Sequence, residues 1–217
     1  MNSLGYAKRK TQELGLTSID YAQADLLKLG SLGRCFDVIE AVGVLHHLAD
    51  PLVGWRTLLS LLHPGGFMRL GFYSEVARRN IARARAVIAE QGYKATTANE
   101  IRECRQYLIG ENRRFDFETI TKSFDFFSTS ACRDLLFHAQ EHSMTLLCIE
   151  EFLQENNLTF LGFEIDGAVL RAYRNRFPDD RFGTSLRQWQ IFEYENPLTF
   201  FGMYEFWLQK ASAGGPP

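Results

Sequence analysis

Apolar positions recur along this chain in two different periods. From Ser3 to Leu14, the residues Leu4, Ala7 and Leu14 are separated by Lys8, Arg9, Lys10 and Glu13, which predicts an amphipathic helix with Ser3 as N-cap and Gly15 as stop. Ile19 to Ala24 predicts a short strand closed by Asp25. Phe36 to Ala41 is nearly continuous in apolar character and ends at Gly43, which suits a parallel strand buried on both faces. Beyond Asp50-Pro51, a cap followed by a first-turn proline, Leu52, Trp55, Leu58, Leu59 and Leu62 recur at helical spacing. Pro64-Gly65-Gly66 stops that helix, and Phe67 to Tyr73 predicts the next strand. Helix and strand alternating in this rhythm predict an α/β fold around a parallel sheet.

The second half has another texture. Ser74 to about Leu108 is helical and basic, with Arg78, Arg79, Arg83 and Arg85 close together. Fifteen of the 18 phenylalanines lie from Phe115 onward, so large aromatic surfaces must be buried or used there. Phe115 to Met144 resembles an insertion, with Ser128-Thr129-Ser130 capping a helical Cys132 to Gln140. Helices are expected over Ile149–Asn156, Ala168–Phe177 and Leu186–Glu193, and strands over Leu158–Ile165 and Phe200–Leu208, the last buried on both sides. The implied organisation is a partial α/β core over 1–73, a helical insertion or lid over 74–157, strands and helices completing the sheet over 158–210, and a disordered tail over 211–217.

Composition narrows the function classes. With 217 residues, 46% hydrophobic and 23% charged, the chain has a globular composition and enough apolar residues for a core. A formal net charge of −2 argues against non-specific nucleic-acid binding. Cys35, Cys104, Cys132 and Cys148 form no close pair, so neither a zinc ribbon nor a disulfide scaffold is suggested, and no metal is expected. No apolar run reaches the length of a membrane span, and the expected setting is the cytoplasm.

Three segments, in order, carry chemistry: Gln23-Ala24-Asp25; Phe36-Asp37-Val38-Ile39-Glu40-Ala41-Val42-Gly43-Val44-Leu45-His46-His47-Leu48-Ala49-Asp50-Pro51; and Leu61-Leu62-His63-Pro64-Gly65-Gly66. Together they resemble the class I S-adenosylmethionine-dependent methyltransferases, in the small-molecule branch with a V-L-H-H-L-x-D-P segment. The resemblance implies a Rossmann-like sheet, S-adenosylmethionine as cofactor and methyl transfer to a small acceptor. One departure stands out. The family holds the cofactor over a glycine-rich turn after its first strand, and no G-x-G occurs in this sequence. Only 35 residues precede Phe36, so the sheet is expected to lack its first two strands. The Ile19 strand is then expected either to add beside the Phe36 strand or to wait for a homo-oligomeric partner or a completing N-terminal segment, because an open apolar edge invites pairing. The cofactor would bind once that segment is supplied; otherwise the chain would serve as a non-catalytic interaction domain.

The resemblance also places candidates. Asp25 and the Leu26 amide fall where the family reads adenine, although Asp25 equally suits a turn cap. Glu40, Ala41, Val42 and Gly43 end a strand at the crevice where open α/β sheets bind ligands. His46 and His47 are candidate catalytic bases, of which only one can face the cleft. Tyr73 and Arg78 are candidate acceptor contacts, as are Arg133 and His138; Asp134, His138 and His142 share one stripe if their helix continues. The basic cluster around Arg78 suits an acidic acceptor or, alternatively, a solvated helix face.

Overall fold

The computed structural model describes residues 2–115, 117–137 and 141–212 of the chain. His138 and the tail beyond Ser212 lie outside the described residues. Helix α1 spans Asn2–Glu13. Its end is closed as expected: Gly15 takes φ +68°, and the amides of Gly15 and Leu16 bond back to Gln12 and Thr11. Ile19–Ala24 forms no strand, which corrects the expectation of a first strand there. A strand exists only by bonding a neighbour, and the sheet places none beside this segment. A 3-10 turn, Leu26–Ser31, follows.

Strand β1 (Phe36–Val42) leads through a second 3-10 turn, Leu45–His47, to α2 (Pro51–Ser60) and β2 (Leu62–Ser74). Asp50 caps α2 by accepting from Leu52 N at 2.8 Å and Val53 N at 3.2 Å, with Pro51 at the start of the helix. β1 and β2 pair in parallel, with an irregularity between Phe36 and Val38. Leu62, expected in the helix, is the first residue of β2, and Pro64-Gly65-Gly66 lies within that strand as the irregularity between the Phe36–Leu62 and Val38–Phe67 pairs, with Gly65 at φ +80°.

The insertion is helical: α3 (Glu75–Glu90), α4 (Ala98–Phe115), α5 (Glu118–Thr121), α6 (Phe124–Phe127) and α7 (Thr129–Phe137). These helices share a core of their own around Ile81, Ile101, Leu108, Phe117 and Phe126. The chain returns through β3 (Ser143–Met144), which pairs with the end of β2, and continues as α8 (Leu146–Glu155), β4 (Leu158–Phe163), α9 (Gly167–Arg176), α10 (Leu186–Glu195) and β5 (Tyr204–Lys210).

The main sheet runs β1-β2-β5-β4, with β5 antiparallel to both of its neighbours. One face is the core. Met68, Leu70 and Phe72 of β2 and Tyr204, Phe206 and Leu208 of β5 are buried with Trp55, Phe152 and Trp189. Trp55 stacks on Phe152 at 3.9 Å between ring centroids, and Tyr173 on Trp189 at 3.7 Å. The intervening residues face a shallow open groove bounded by Val38, Phe67, Leu161 and Trp207.

Two strand expectations are therefore revised. β1 is an edge strand and largely exposed, with Phe36 at 39% and Val38 at 52%, and the Ile19 segment has not added to it. β5 starts at Tyr204 and alternates buried and half-buried residues, so it is covered on one side rather than two.

Candidate active site

The site lies at the edge of the sheet where β1 and β2 end and β5 begins. Gly43 closes β1 with φ +74°, a left-handed conformation that favours glycine. A Cβ at this position would stand 3.8 Å from Met203 Cε. Met203, just ahead of β5, lines a cleft of about 350 Å³ roofed by the helical insertion. His47 and Tyr73 share that cleft with Arg78 from α3, Asp125 from α6 and Asp134 from α7.

Sequence-local devices hold these groups in place. Ser74 ends β2 and caps α3, accepting from Ala77 N at 3.0 Å, which sets Arg78 one turn into the helix. Ser74 also donates to Glu193 of α10, and Tyr204 OH donates to the same carboxylate at 2.7 Å. Glu193 is fully buried, and desolvation pushes its carboxyl above the usual range. This buried triad fixes the ends of β2 and β5 relative to α10.

His46 and His47 point to different environments, as adjacent residues in a tight turn must. His47 is exposed and lines the cleft. His46 is 1% exposed, its ring lying 4.3 Å from that of Tyr73 and 4.1 Å from that of His47. Neither of its ring nitrogens has a hydrogen-bond partner of ordinary geometry. Burial, and after it the charge of His47, lowers its pKa from 6.5 to about 4. A group this dry and this hard to protonate is poorly suited to carry a proton at neutral pH.

Tyr73 and Arg78 act as a unit. The Arg78 guanidinium lies over the Tyr73 ring at 3.4 Å from its centroid, closer than most such pairs. Desolvation raises the Tyr73 phenol above its ordinary pKa, and Arg78 opposes that shift. Arg78 also pairs with Glu141 at 3.2 Å, and Arg85 bonds both Glu141 and the Leu135 carbonyl. The expected basic face is thus partly spent inside the protein, stitching α3 to the end of α7.

The remaining candidates are placed apart from the cleft lining. Asp25 caps the first 3-10 turn, accepting from Leu27 N at 3.1 Å, with Lys28 3.8 Å away. Leu26 packs toward α2 at Gly54, where an added Cβ would meet Leu48, Leu45 at 3.0 Å and Leu26 at 3.5 Å, so both 3-10 turns rest against one glycine. Glu40 pairs with Arg69 at 3.7 Å on the open face; Ala41 is buried and Val42 half-buried. Arg133 is exposed and does not line the cleft. Of the stripe of Asp134, His138 and His142, Asp134 lies in α7 and lines the cleft, His138 is outside the described residues, and His142 donates its amide to the His46 carbonyl at 2.9 Å.

Sequence reasoning missed Asp125, Glu141, Met203 and Glu205, all of which line the cleft. No local motif marks them, because their partners lie far along the chain; Glu205 meets Arg69 across 136 residues. Among the described residues no group of three metal-ligating side chains occurs, and no helix is long and apolar enough to cross a membrane.

Comparison with known proteins bears on the domain family and the fold. Residues 1–70 match the methyltransferase domain family. The chain is 30% identical over 190 residues to an uncharacterised protein of Synechococcus sp., covering 84% of this chain and 44% of that one. It is 40% identical over 62 residues to a ubiquinone biosynthesis O-methyltransferase of Cereibacter sphaeroides, covering 29% of this chain and 25% of that protein. Its fold resembles PKMT2 from Rickettsia typhi, with a TM-score of 0.71 at 14% identity over 98% of this chain and 42% of that one. The complex of PKMT2 with AdoHcy gives 0.70 at 12% identity over 99% of this chain and 43% of that one. The chain therefore spans less than half the length of these relatives. The first 70 residues thus match the methyltransferase domain family, and the chain as a whole shares the fold of the PKMT2 structures.

Proposed function

We propose that this chain takes part in methyl transfer from S-adenosylmethionine to a small acceptor in the cytoplasm. The observation that carries the reading is the junction at Gly43: the turn closing β1 abuts Met203, which belongs to the cleft holding His47, Tyr73 and Arg78. Cofactor-side and acceptor-side residues thereby adjoin at one sheet edge, the position where open α/β sheets bind ligands.

The residues present fit part of the cofactor. Asp25 and the Leu26 amide would hold the adenine end, and Glu40 through Gly43 would border the remainder, while no G-x-G turn occurs in the sequence to carry the amino-acid end. When bound, the cofactor supplies an electrophilic methyl group. His47 takes the acceptor's proton, Tyr73 and Arg78 orient the acceptor, and the insertion roofing the cleft excludes water. His46 supports the Tyr73 ring and does not act as the base. Arg133 on α7, and His138 on the sequence alone, are the further proposed acceptor contacts.

A second reading has its own observation. Among the described residues no strand pairs with the outer edge of β1, and the sheet has an open apolar groove beside it. In this reading the chain is completed by an N-terminal segment or a partner before it binds cofactor, or acts only as an interaction domain.

Calorimetric titration with S-adenosylhomocysteine separates the two. Micromolar binding by the chain alone, weakened at least tenfold by Gly43→Val, is the result expected for a competent site. Absence of binding, together with dimers or larger species in size-exclusion chromatography, would favour the second.

A further inference from the structure

Two surfaces of this chain leave apolar side chains in water. The first is the open face of the main sheet, where Val38, Phe67 and Leu161 are exposed around the groove beside Trp207. The second is the arm of residues 3–24 ahead of the sheet, where Tyr6, Leu14, Leu16 and Ile19 are exposed. Thr11 meets the Tyr21 hydroxyl within the arm, and that hydroxyl also donates to the Ala7 carbonyl at 3.5 Å. No strand among the described residues pairs with the arm. Apolar side chains gathered in this way mark an interaction surface rather than a solvated one.

The charges of the two surfaces are opposite. In α1, Lys8, Arg9 and Lys10 stand with one carboxylate, Glu13, which lies 3.7 Å from Arg9 and 2.6 Å from Lys10. On the open face the ratio is reversed: Glu40, Glu164 and Glu205 stand around one guanidinium, Arg69, at 3.7, 2.6 and 2.8 Å. After this pairing the helix keeps two positive charges in excess and the face two negative ones. Lengths agree as well. The 12 residues of α1 extend about 18 Å, and the seven-residue strands β1 and β5 about 23 Å. The point where the arm joins the body decides whose face it meets. Leu26, just past the arm, packs against the core with α2, on the covered side of the sheet. The open face that the arm can meet without turning round the β1 edge is therefore that of another copy.

We propose that the arm of one copy lies across the open sheet face of a second copy, reciprocally, in a two-fold dimer. This deepens the second reading above and rests on its incomplete sheet, not on methyl transfer. Leu14, Leu16 and Ile19 enter the groove at Val38, Phe67 and Leu161, while Lys8 and Lys10 approach Glu40 and Glu164. Upon dilution the groove opens again, so the covering is read by association and not by the stability of the monomer.

Sedimentation equilibrium of the unmodified chain at micromolar concentration and low salt is expected to give a dimer, whose dissociation constant rises at least tenfold at high salt. Lys8→Glu with Lys10→Glu, and in a separate chain Glu40→Lys with Glu164→Lys, should each weaken the dimer at least tenfold, with far-UV circular dichroism verifying the fold. Mixed in equal amounts, the two reversed chains should dimerise again, because each arm then meets a face of opposite charge. A monomer at low salt would overturn the proposal. So would a dimer that neither reversal weakens, or reversed chains that do not combine. The outcomes also keep the proposal apart from the reading it deepens: a dimer indifferent to arm reversal sinks only the arm exchange, while a monomer that binds S-adenosylhomocysteine sinks the second reading with it.

Discussion

The two faces of one sheet meet opposite fates here, although they are drawn from alternate residues of the same strands. Met68, Leu70 and Phe72 point into an aromatic core, whereas Phe67 is exposed and Arg69 reaches across the open face to three carboxylates. Burial decides how polar groups fare. His46, shut in against the Tyr73 and His47 rings, has a pKa lowered to about 4, while Arg69 on the open face keeps its charge and gathers partners. Stability should therefore be concentrated on the covered face, with the open face left adaptable.

The sharpest way to break this contrast is Trp55→Ala. It opens a cavity among Phe72, Phe152 and Phe206 and should cost about 3–5 kcal/mol in urea unfolding. Trp55→Phe should cost much less, because it also removes a buried indole N–H without a partner.

A pH series examines the dry side next. The lowered His46 pKa means that the neutral ring contributes stability above about pH 6.5, and that this contribution is lost as pH falls toward about 4. The melting temperature should fall through that window, and His46→Leu should flatten the fall. An unchanged slope would show that His46 protonates without strain.

Gly54→Ala should cost about 1–3 kcal/mol by crowding Leu45 and Leu48, and it should loosen both 3-10 turns beside the site. Smallest is Val38→Thr on the open face, expected within about 0.5 kcal/mol. A larger loss there would mean that the groove is covered in solution.

Much of the fold is legible in the sequence where local physics decides it. Asp50-Pro51, Gly15 and Ser74 cap or stop helices through bonds to residues within a few positions, and the helices of the second half follow their apolar spacing. Strands were harder to judge, since a strand is defined by its neighbour. Ile19–Ala24 has the composition of a strand but nothing to pair with, and the apolar run at Phe36 gives no sign that it lies at an edge. The site was half legible. His47, Tyr73 and Arg78 follow from the motif and the strand ends, while other residues lining the candidate cleft, Asp125, Glu141 and Glu205, come from α6, the segment after α7, and β5. Only three-dimensional closure brings those together.

The placement of β5 between β2 and β4 has a kinetic consequence. β1, α2 and β2 are contiguous in sequence, and β1 finds its partner after a single short crossover. β5 must return across most of the chain to reach β2, a separation of 136 residues at the Arg69–Glu205 contact. Closing so long a loop is entropically unfavourable and slow. The β1–α2–β2 unit should therefore gain amide-exchange protection early in refolding, and the cleft, which needs Met203 and Glu205, should be among the last parts of the molecule to form.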